Sequence, residues 1–447
     1  MKRYEEYKLT GAEWIPSIPA SWDIQKIGAL FAQRKEKVSD KDFAPISVTK
    51  NGILPQLATA AKTDDGDNRK KVCIGDFVIN SRSDRKGSCG VSDLEGSVSL
   101  INIVLQPRDQ LGGRYVHYLL RNHLFSEEYY RNGRGIVADL WTTRYSEMKT
   151  ILLPVPPRAE QDQIVRYLDW QVSKINRLIA AKKQEIALFE ESKINHIANV
   201  VLHGIRHHEH CIETTEFGSI PAHWQIIQNK RLFCERVEHS ETGTETLLSV
   251  SKHYGVKPSA ELTEDEQFAT IKPALSLVGY KVVRKNDLVM NIMRARNGSY
   301  GISDYDGIVS PAYCIYYTTK ECNVKYLHYF LRTPHVKSLF EAYSSGIAEH
   351  RRRLYPEEFL RLKSVLPPLE EQDEIVEHIE QAIVKYDAGI ANLRQQIACL
   401  QDMKTRLISD VVTGQVDVRG IEVPEYEVVQ DIAEEPEEET EEMMEEV

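Results

Sequence analysis

The sequence predicts an α+β protein made of two similar mixed α/β domains, two long helices and an acidic, disordered tail. Three observations predict this fold class: a repeat of the whole pattern, a globular part in each copy that alternates strand-like and helix-like stretches, and a long apolar seam after each part. Their order predicts five segments, at 1–153, 154–206, 207–365, 366–415 and 416–447. We expect the two helices to pair antiparallel as a coiled coil that separates the domains, with pseudo-two-fold symmetry.

The repeat consists of matched segments that keep the same order in both halves. The pairs are 18–22 with 220–224, 47–50 with 249–252, 76–80 with 287–291, 87–93 with 298–304, 115–121 with 326–332, and 156–165 with 367–376. The offset is 202 residues in the first pair and 211 in the last. Such ordered self-similarity indicates an internal duplication.

The globular part of each half mixes both kinds of secondary structure. Runs rich in β-branched and aromatic residues, Asp76–Asn80 and Val309–Thr318, predict strands between Gly and Asn turns. Apolar residues at helical spacing predict helices over Gly113–Arg121 and Val324–Arg332. The corresponding domains are therefore expected to share one mixed fold.

A long helix is predicted after each globular part, starting near Glu160-Gln161 and Glu371-Gln372, directly behind a Pro-Pro pair. Apolar residues then recur at steps of three and four, which favours a coiled coil. The seam of the first helix is Leu168, Val172, Ile175, Ile179, Ile186 and Phe189, and that of the second is Ile379, Ile383, Tyr386, Ile390, Leu393, Ile397 and Leu400. The alternative is that each helix packs only on its own globular part.

The two seams share a polar interruption, with Lys193 in the first helix and Lys404 in the second. These lysines could contact a partner, fix the register of the pair or lie on a solvated face. Both helices are expected to end at a glycine, near His203-Gly204 and Thr413-Gly414.

Composition and charge limit the class of protein. Of 447 residues, 42% are hydrophobic and 28% charged, as in ordinary globular proteins. Residues 421–447 hold thirteen acidic residues and no Lys or Arg, which leaves 54 acidic against 56 basic residues elsewhere. The net charge of -11 therefore does not exclude a nucleic-acid partner. Without an apolar run of membrane-spanning length or a signal-peptide core, and with seven scattered Cys, the chain is expected to be cytoplasmic.

Motifs for catalysis are missing from the sequence. It has no phosphate-binding glycine loop, no nucleophile elbow, and no Asn/Asp-Pro-Pro-aromatic motif of the kind expected of an amino methyltransferase. We therefore expect a non-catalytic protein. The cluster His203, His207, His208, His210 and Cys211 contains zinc-ligand types, but the second helix end has no counterpart, so a solvated linker is favoured and no metal is expected.

Basic and polar loops are the better candidates for a functional site. One follows the strand of each half, and others recur at matched places. The candidates are Lys50, Asn51, Arg82, Ser83, Arg85, Lys86, Thr143 and Arg144 in the first half, and Lys252, His253, Tyr254, Arg294, Arg296, Asn297, Arg351, Arg352 and Arg353 in the second. Arg can bond guanine or phosphate and Asn can bond adenine. Any single loop could be only a solvated face, but variable loops on a repeated scaffold favour sequence readout.

The chain resembles the specificity subunit of type I restriction-modification systems. The residues that carry the match are Ile18-Pro19-x-x-Trp22, Gly75-Asp76-Phe77-Val78, and Pro156-Pro157 with Glu160-Gln161. The second half repeats them as Ile220-Pro221-x-x-Trp224, Asp287-Leu288-Val289, and Pro367-Pro368 with Glu371-Gln372. Two mild departures are Asn286 in place of Gly75 and Arg158-Ala159 in place of Leu369-Glu370. The resemblance covers about 1–415 and leaves out the tail.

The resemblance implies two target-recognition domains that each read half of a split DNA site, with the paired helices as a ruler. It implies docking of two modification subunits, which bring S-adenosylmethionine and methylate adenine at N6. Up to two restriction subunits, which use ATP and Mg, would join them. The chain itself would hold no cofactor. A symmetric scaffold that binds protein and not DNA remains the alternative from another class, and a self-sufficient nuclease or methylase is disfavoured by the missing motifs.

Overall fold

A computed structural model describes residues 2–56, 66–135, 141–206, 208–252, 255–262, 276–346 and 352–429. The chain divides into two compact units. Unit 1 combines the beginning of the chain, up to Lys183, with a later segment that begins at Arg394. Unit 2 is built from Gln184–Leu393. Each unit therefore contains one globular part and a portion of both long helices.

The globular part of unit 1 is mixed, as predicted. Its strands are β1 (Tyr7–Ala12), β2 (Ile15–Pro19), β3 (Asp23–Lys26), β4 (Phe31–Gln33), β5 (Lys37–Val38), β6 (Ile46–Thr49), β7 (Gly52–Pro55), β8 (Arg69–Val72), β9 (Phe77–Asn80), β10 (Cys89–Val91), β11 (Gly96–Val98), β12 (Asn102–Pro107) and β13 (Leu152–Val155). Its helices are α1 (Ile27–Leu30), α2 (Gly113–Arg121), α3 (His123–Arg131) and α4 (Tyr145–Met148), followed by the long α5 (Arg158–His203).

The globular part of unit 2 repeats this plan. Its strands are β14 (Cys211–Thr214), β15 (Gly218–Pro221), β16 (Gln225–Gln228), β17 (Phe233–Glu235), β18 (Leu248–Ser251), β19 (Gly255–Pro258), β20 (Lys281–Val283), β21 (Leu288–Asn291), β22 (Tyr300–Ile302), β23 (Gly307–Val309), β24 (Tyr313–Thr318) and β25 (Lys363–Leu366). Its helices are α6 (Val324–Leu331), α7 (Pro334–Tyr343) and α8 (Pro356–Arg361), followed by the long α9 (Leu369–Val412).

A four-stranded antiparallel sheet lies at the centre of each unit. Its order is β10-β9-β12-β4 in unit 1 and β22-β21-β24-β17 in unit 2. The register is also repeated: Val78 pairs with Val104, and Val289 pairs with Ile315. Because topology and register both recur, the internal duplication predicted from the sequence is confirmed in the fold.

The central strand of each sheet contributes to two cores. Along β9, Phe77 and Ile79 are buried in the larger core of unit 1, whereas Val78 points to a smaller one. Successive side chains of a strand face opposite sides of its sheet, so a strand buried throughout needs apolar residues at every position. This explains why Phe77, Val78 and Ile79 are consecutive apolar residues instead of alternating with polar ones.

The long helices run antiparallel in both units. In unit 1, Leu168 and Ile175 of α5 share a core with Leu407 and Val411 of α9. In unit 2, the ring of Phe189 meets that of Tyr386, with centroids 6.3 Å apart. The thirteen predicted seam residues are all buried or half-buried. The predicted antiparallel pairing is confirmed, and each helix also packs on a globular part.

The polar interruptions of the seams form matching contacts between the helices. Lys193 of α5 bonds Asp387 of α9, with 2.6 Å between Nζ and Oδ1. Lys404 of α9 bonds Asn176 of α5, with 3.3 Å between Nζ and Oδ1. The two helices therefore exchange roles between the units, as the internal repeat predicts. Of the three interpretations of these lysines, these contacts support fixing the register.

The glutamine of each Glu-Gln pair attaches a long helix to the globular part before it. Gln161 Oε1 accepts from the backbone N–H of Gly112 at 2.9 Å, and Gln372 Oε1 accepts from that of Asn323 at 2.9 Å. Each side-chain amide also donates to the carbonyl of a preceding proline. The motif that marks the resemblance therefore has a structural role in both units.

The chain beyond α9 is packed against unit 1 as far as the structure describes it. Val416 and Val418 are buried in the core of that unit. Gln163 of α5 donates to the carbonyls of Val418 and Ile421 at 3.0 and 2.7 Å. The prediction of a disordered tail from 416 is therefore corrected for 416–429. Residues 430–447, which hold ten of the thirteen acidic residues, lie outside the described residues.

Both long helices end at a glycine with a left-handed backbone. Gly204 has φ 78° and Gly414 has φ 75°. This conformation strains residues that have a Cβ, so the predicted glycine stops are confirmed for a physical reason. Among the described residues, no helix combines the length and the apolar character needed to cross a membrane.

Candidate functional site

Three of the predicted loops lie together in unit 1. Ser83, in the loop after β9, donates its backbone N–H to Trp141 at 2.9 Å, and Thr143 donates to Ser81 at 2.9 Å. These bonds hold the loop before α4 beside the loop after β9. The turn between β6 and β7 joins them, because Lys50 lies beside Gly87. We call this surface, formed by residues 50–51, 82–88 and 142–144, loop surface 1.

Unit 2 forms the same surface at the equivalent place. The backbone N–H of Leu354 donates to Ile292 at 3.0 Å, which repeats the Thr143 bond of unit 1. Gly298 lies against Lys252, as Gly87 lies against Lys50. We call this loop surface 2; its described residues are 252, 292–299 and 352–354. The backbone framework recurs although the loop side chains differ.

The exposure of the predicted residues varies. Lys50, Asn51, Arg82, Arg85, Lys86 and Arg144 are exposed on loop surface 1, and Lys252, Asn297 and Arg353 on loop surface 2. Ser83, Arg294, Arg296 and Arg352 are half-buried. His253, Tyr254 and Arg351 lie outside the described residues.

Thr143 requires a correction, because its side chain is fully buried. Its hydroxyl donates to the carbonyl of Tyr129 at 3.0 Å, and its own carbonyl accepts from the Tyr129 hydroxyl at 3.3 Å. Thr143 therefore holds the loop in position and does not present a side chain to a ligand. Arg352 is similarly engaged, since Nε donates to Ser344 and Nη2 to Glu341, both at 3.1 Å.

The exposed cations of loop surface 1 differ in how firmly they are paired. Lys86 forms an ion pair with Glu127 at 2.5 Å. The side chain of Arg85 is 69% exposed, and its closest ion-pair oxygen, on Asp84, is 4.0 Å away. Such a weak surface pair costs little to break, so Arg85 can turn to an anionic ligand. On loop surface 2, Arg296 Nε is buried and makes no hydrogen bond within the described part of the chain.

Arginines at the ends of two helices hold the turns at Lys50 and Lys252 by hydrogen bonds. Arg121 of α2 donates from Nη2 to the carbonyl of Lys50 at 2.8 Å, and Arg332, just after α6, makes the same bond to Lys252. Burial lowers the pKa of Arg332 below its ordinary value. Beside it, burial and then the Arg332 charge lower the pKa of His328 to about 4, so this imidazole is neutral at neutral pH.

A buried ion pair fixes the beginning of the central strand in each unit. Arg34 Nε and Nη2 bond the two carboxylate oxygens of Asp76 at 2.6 and 3.0 Å. Arg236 does the same to Asp287 at 2.7 and 3.0 Å. These hydrogen bonds raise the pKa of both arginines. Bidentate pairs are directional as well as strong, so each one orients the strand that leads into a loop surface.

One group of metal-ligand types is present among the described residues, at a distance in sequence from the loop surfaces. It consists of His208, His223 and Glu371. Of the histidine-rich cluster considered in the sequence, only His208 belongs to it, and His207 lies outside the described residues.

Comparison with known proteins finds likeness in structure alone. No protein-family model and no curated protein matches the sequence. A chain from a structure described as the basis of complex assembly and conformational transition of the type I R-M system has TM-score 0.59 and 14% identity, over 89% of this chain and 99% of that one. The likeness shows the fold. The fold expected from the predicted resemblance is thereby found in a chain of a type I R-M system.

Two further solved structures are more distant. The HsdS subunit from Thermoanaerobacter tengcongensis has 15% identity and TM-score 0.43, over 89% of this chain and 98% of that one. The type I restriction-modification S subunit from M. genitalium has 12% identity and TM-score 0.33, over 90% and 98%.

Sequence reasoning identified the loops but missed the residues that hold them. Arg34 and Arg236 are 202 residues apart, and Asp76 and Asp287 are 211 apart, so both partners of the ion pair follow the repeat. A search for opposite charges conserved between the two halves would have found them. Arg121 was also matched to Arg332, but only as part of a helix.

Proposed function

We propose that this chain is the DNA-specificity subunit of a type I restriction-modification complex and reads a bipartite site with loop surfaces 1 and 2. The observation that carries the proposal is the recurrence of basic loops held in the same way in both units while their side chains differ. The backbone bond from Thr143 to Ser81 recurs as the bond from Leu354 to Ile292. The bond from Arg121 to the Lys50 carbonyl recurs as the bond from Arg332 to that of Lys252. A constant scaffold with variable, exposed cations suits two readers of different sequences.

The exposed cations supply both parts of DNA recognition. Arg85 and Arg82 can each bond a phosphate or the guanine edge, and Asn51 and Asn297 can bond adenine. Bonds to phosphate give affinity, whereas bonds to base edges give specificity. Two readers on one chain make the second contact intramolecular, so affinity increases only when the two half-sites have the right separation. The paired α5 and α9 are proposed to set that separation.

The chemistry is assigned to partner chains. Two modification subunits would bring S-adenosylmethionine and methylate adenine at N6, and up to two restriction subunits would bring ATP and Mg. The complex named for the neighbouring structure, a type I R-M assembly, supports this proposal. The target adenine must leave the base stack to be methylated, and binding of both half-sites by this chain would favour that step.

The decisive experiment is methylation mapping by single-molecule sequencing in a host that expresses this chain with its modification subunit. The expected result is N6-methyladenine in both halves of one split motif. Absence of methylation, with a modification subunit that is active with another specificity chain, would contradict the proposal and favour a protein-binding scaffold.

Charge reversal assigns each half-site to a loop surface. Arg85→Glu is expected to weaken binding of the purified complex to its duplex by roughly 10- to 100-fold, since a good base contact contributes ~1–3 kcal/mol. Arg296→Glu should act through the other half-site. The matched control is Arg284→Glu, an exposed arginine before β21, at the opposite end of the strand from loop surface 2.

The salt dependence of binding separates phosphate contacts from base contacts. Each lost phosphate contact should reduce the slope of log affinity against log salt by about 0.9. A variant that instead relaxes the mapped sequence in one half identifies a base contact. If both reversals leave DNA binding unchanged while the complex still assembles, the loop surfaces do not read DNA.

A further inference from the structure

Three metal-ligand side chains converge where α9 begins, and none belongs to a loop surface. His208 follows α5, His223 lies in the turn between β15 and β16, and Glu371 is in the first turn of α9. Their ligand atoms all lie within 4.8 Å of one another. His223 Nε2 is 2.9 Å from Glu371 Oε2, and His208 Nε2 is 3.5 Å from Glu371 Oε1.

Unit 1 shows what the same position requires for packing alone. Its equivalent glutamate, Glu160, accepts a short hydrogen bond from the Tyr4 hydroxyl. Ser21 stands where unit 2 has His223. A single phenol therefore suffices to satisfy this glutamate at the start of a long helix. Glu371 contacts two imidazoles, which is more than the packing of this glutamate requires in unit 1.

The buried Nε2 of His208 lies at ion-pair distance from Glu371 but makes no hydrogen bond within the described residues. The side chain of His208 is 16% exposed. Gly204 provides the space, since a Cβ there would lie 2.8 Å from this nitrogen. Buried polar atoms are nearly always bonded, so an Nε2 aimed at a carboxylate from 3.5 Å indicates room for an atom between them.

We propose that His208, His223 and Glu371 bind a zinc-class transition-metal ion. Two imidazole nitrogens and one carboxylate are a ligand set of zinc, which leaves a fourth tetrahedral position for water. Bonds of 2.0–2.1 Å place tetrahedral ligands roughly 3.3 Å apart. Each imidazole is near that separation from one oxygen of the carboxylate, with His223 2.9 Å from Oε2 and His208 3.5 Å from Oε1. Mg²⁺ and Ca²⁺ prefer oxygen ligands and do not fit two imidazoles.

The indole of Trp224 hydrogen-bonds one of the proposed ligands without being a ligand itself. Its Nε1–H donates to Glu371 Oε2 at 3.0 Å and so orients the carboxylate. The bound ion would join three separate elements: the connector after α5, a turn of the globular part, and the first turn of α9. Its role is to fasten the base of the paired helices in unit 2, as the Tyr4–Glu160 bond does in unit 1.

The test is a metal titration of the full chain, purified without a polyhistidine tag and stripped with a chelator. Zn²⁺ is expected to bind at one ion per chain and to raise the melting temperature, and Co²⁺ should give the visible spectrum of a tetrahedral site. His208→Asn and His223→Asn should each weaken binding by at least about 100-fold, beyond the loss of an outer-shell partner. His223 is 48% exposed, so its variant should fold normally.

Matched controls come from the same connector. His203→Asn and His210→Asn remove exposed histidines that are not in the group, and both should leave affinity and spectrum unchanged. No Zn²⁺ binding by the parent chain would overturn the proposal. So would affinity that survives loss of His208 and His223 but falls in the controls, because binding would then be adventitious.

Discussion

The ion pair between Arg34 and Asp76 offers the sharpest test of how the central strand is held. Asp76 is 2% exposed and Arg34 18%, and the two share bonds of 2.6 and 3.0 Å. Asp76 Oδ2 also accepts the backbone N–H of Cys73 at 2.8 Å. Asp76→Asn removes the charge and turns one acceptor into a donor that faces other donors.

The expected loss is at the lower end of the range for a broken buried pair, about 3 kcal/mol, because the partly exposed Arg34 can recover some hydration. Urea unfolding measures the loss in the free energy of global unfolding. Hydrogen exchange over Phe77–Asn80 measures the loss of local stability in the strand. Asp287→Asn should cost a similar amount in unit 2, where the geometry is repeated. Glu238→Gln removes the exposed pair with Arg284, at 2.9 Å, and a longer contact with Arg236, at 3.9 Å, and should cost about 1 kcal/mol or less.

The reasoning is refuted if Asp76→Asn costs no more than Glu238→Gln and leaves exchange in the strand unchanged. If Asp76→Asn lowers the free energy of unfolding strongly and Asp287→Asn does not, then the same ion-pair geometry contributes differently to stability in the two units.

Three further predictions concern other parts of the chain. Gly414→Ala should lower the free energy of unfolding by about 2 kcal/mol or more, as measured by thermal unfolding. Its φ is 75°, and the new Cβ would lie 2.3 Å from Pro19. The control Gly420→Ala, which has open space around it, should leave stability unchanged. Val418→Ala should cost about 2 kcal/mol in urea. His328 has a pKa of about 4 when folded and 6.5 ordinarily, so its contribution is complete above pH 6.5 and is lost as pH falls towards 4. That loss is about 3 kcal/mol, and His328→Gln should flatten this part of the pH–stability curve.

Much of the fold could be predicted because it is periodic. The 211-residue repeat and the three-four spacing of apolar residues led to both long helices, their antiparallel pairing and the strands at Asp76–Asn80 and Asp287–Asn291. What failed was the start of the tail, because 416–420 was joined to the acidic stretch at 421–447 although Val416 and Val418 are buried. Two buried valines are enough to order a short segment along a helix, and a composition average does not register them.

The candidate site was predictable only in outline. Loop positions follow from the repeat, but burial does not, so Thr143 was assigned to the surface although its hydroxyl bonds the backbone of Tyr129. His208 was set aside because the histidine-rich connector has no counterpart at the end of the second helix. Its partners, His223 and Glu371, come from other elements, and only folding brings them together.

The division of the chain into units also determines the order in which they can fold during synthesis. The described part of unit 2, Gln184–Leu393, is complete once Leu393 has left the ribosome, whereas unit 1 still lacks the segment that begins at Arg394. The backbone N–H of Asp417 donates to the carbonyl of Lys2 at 3.0 Å, so the segment after α9 is bonded to the beginning of the chain. At ~5–20 residues per second, the amino-terminal part waits roughly 20–80 s for this partner. The domain that is translated first is therefore finished last, and its part of the helix seam lacks its partner until then.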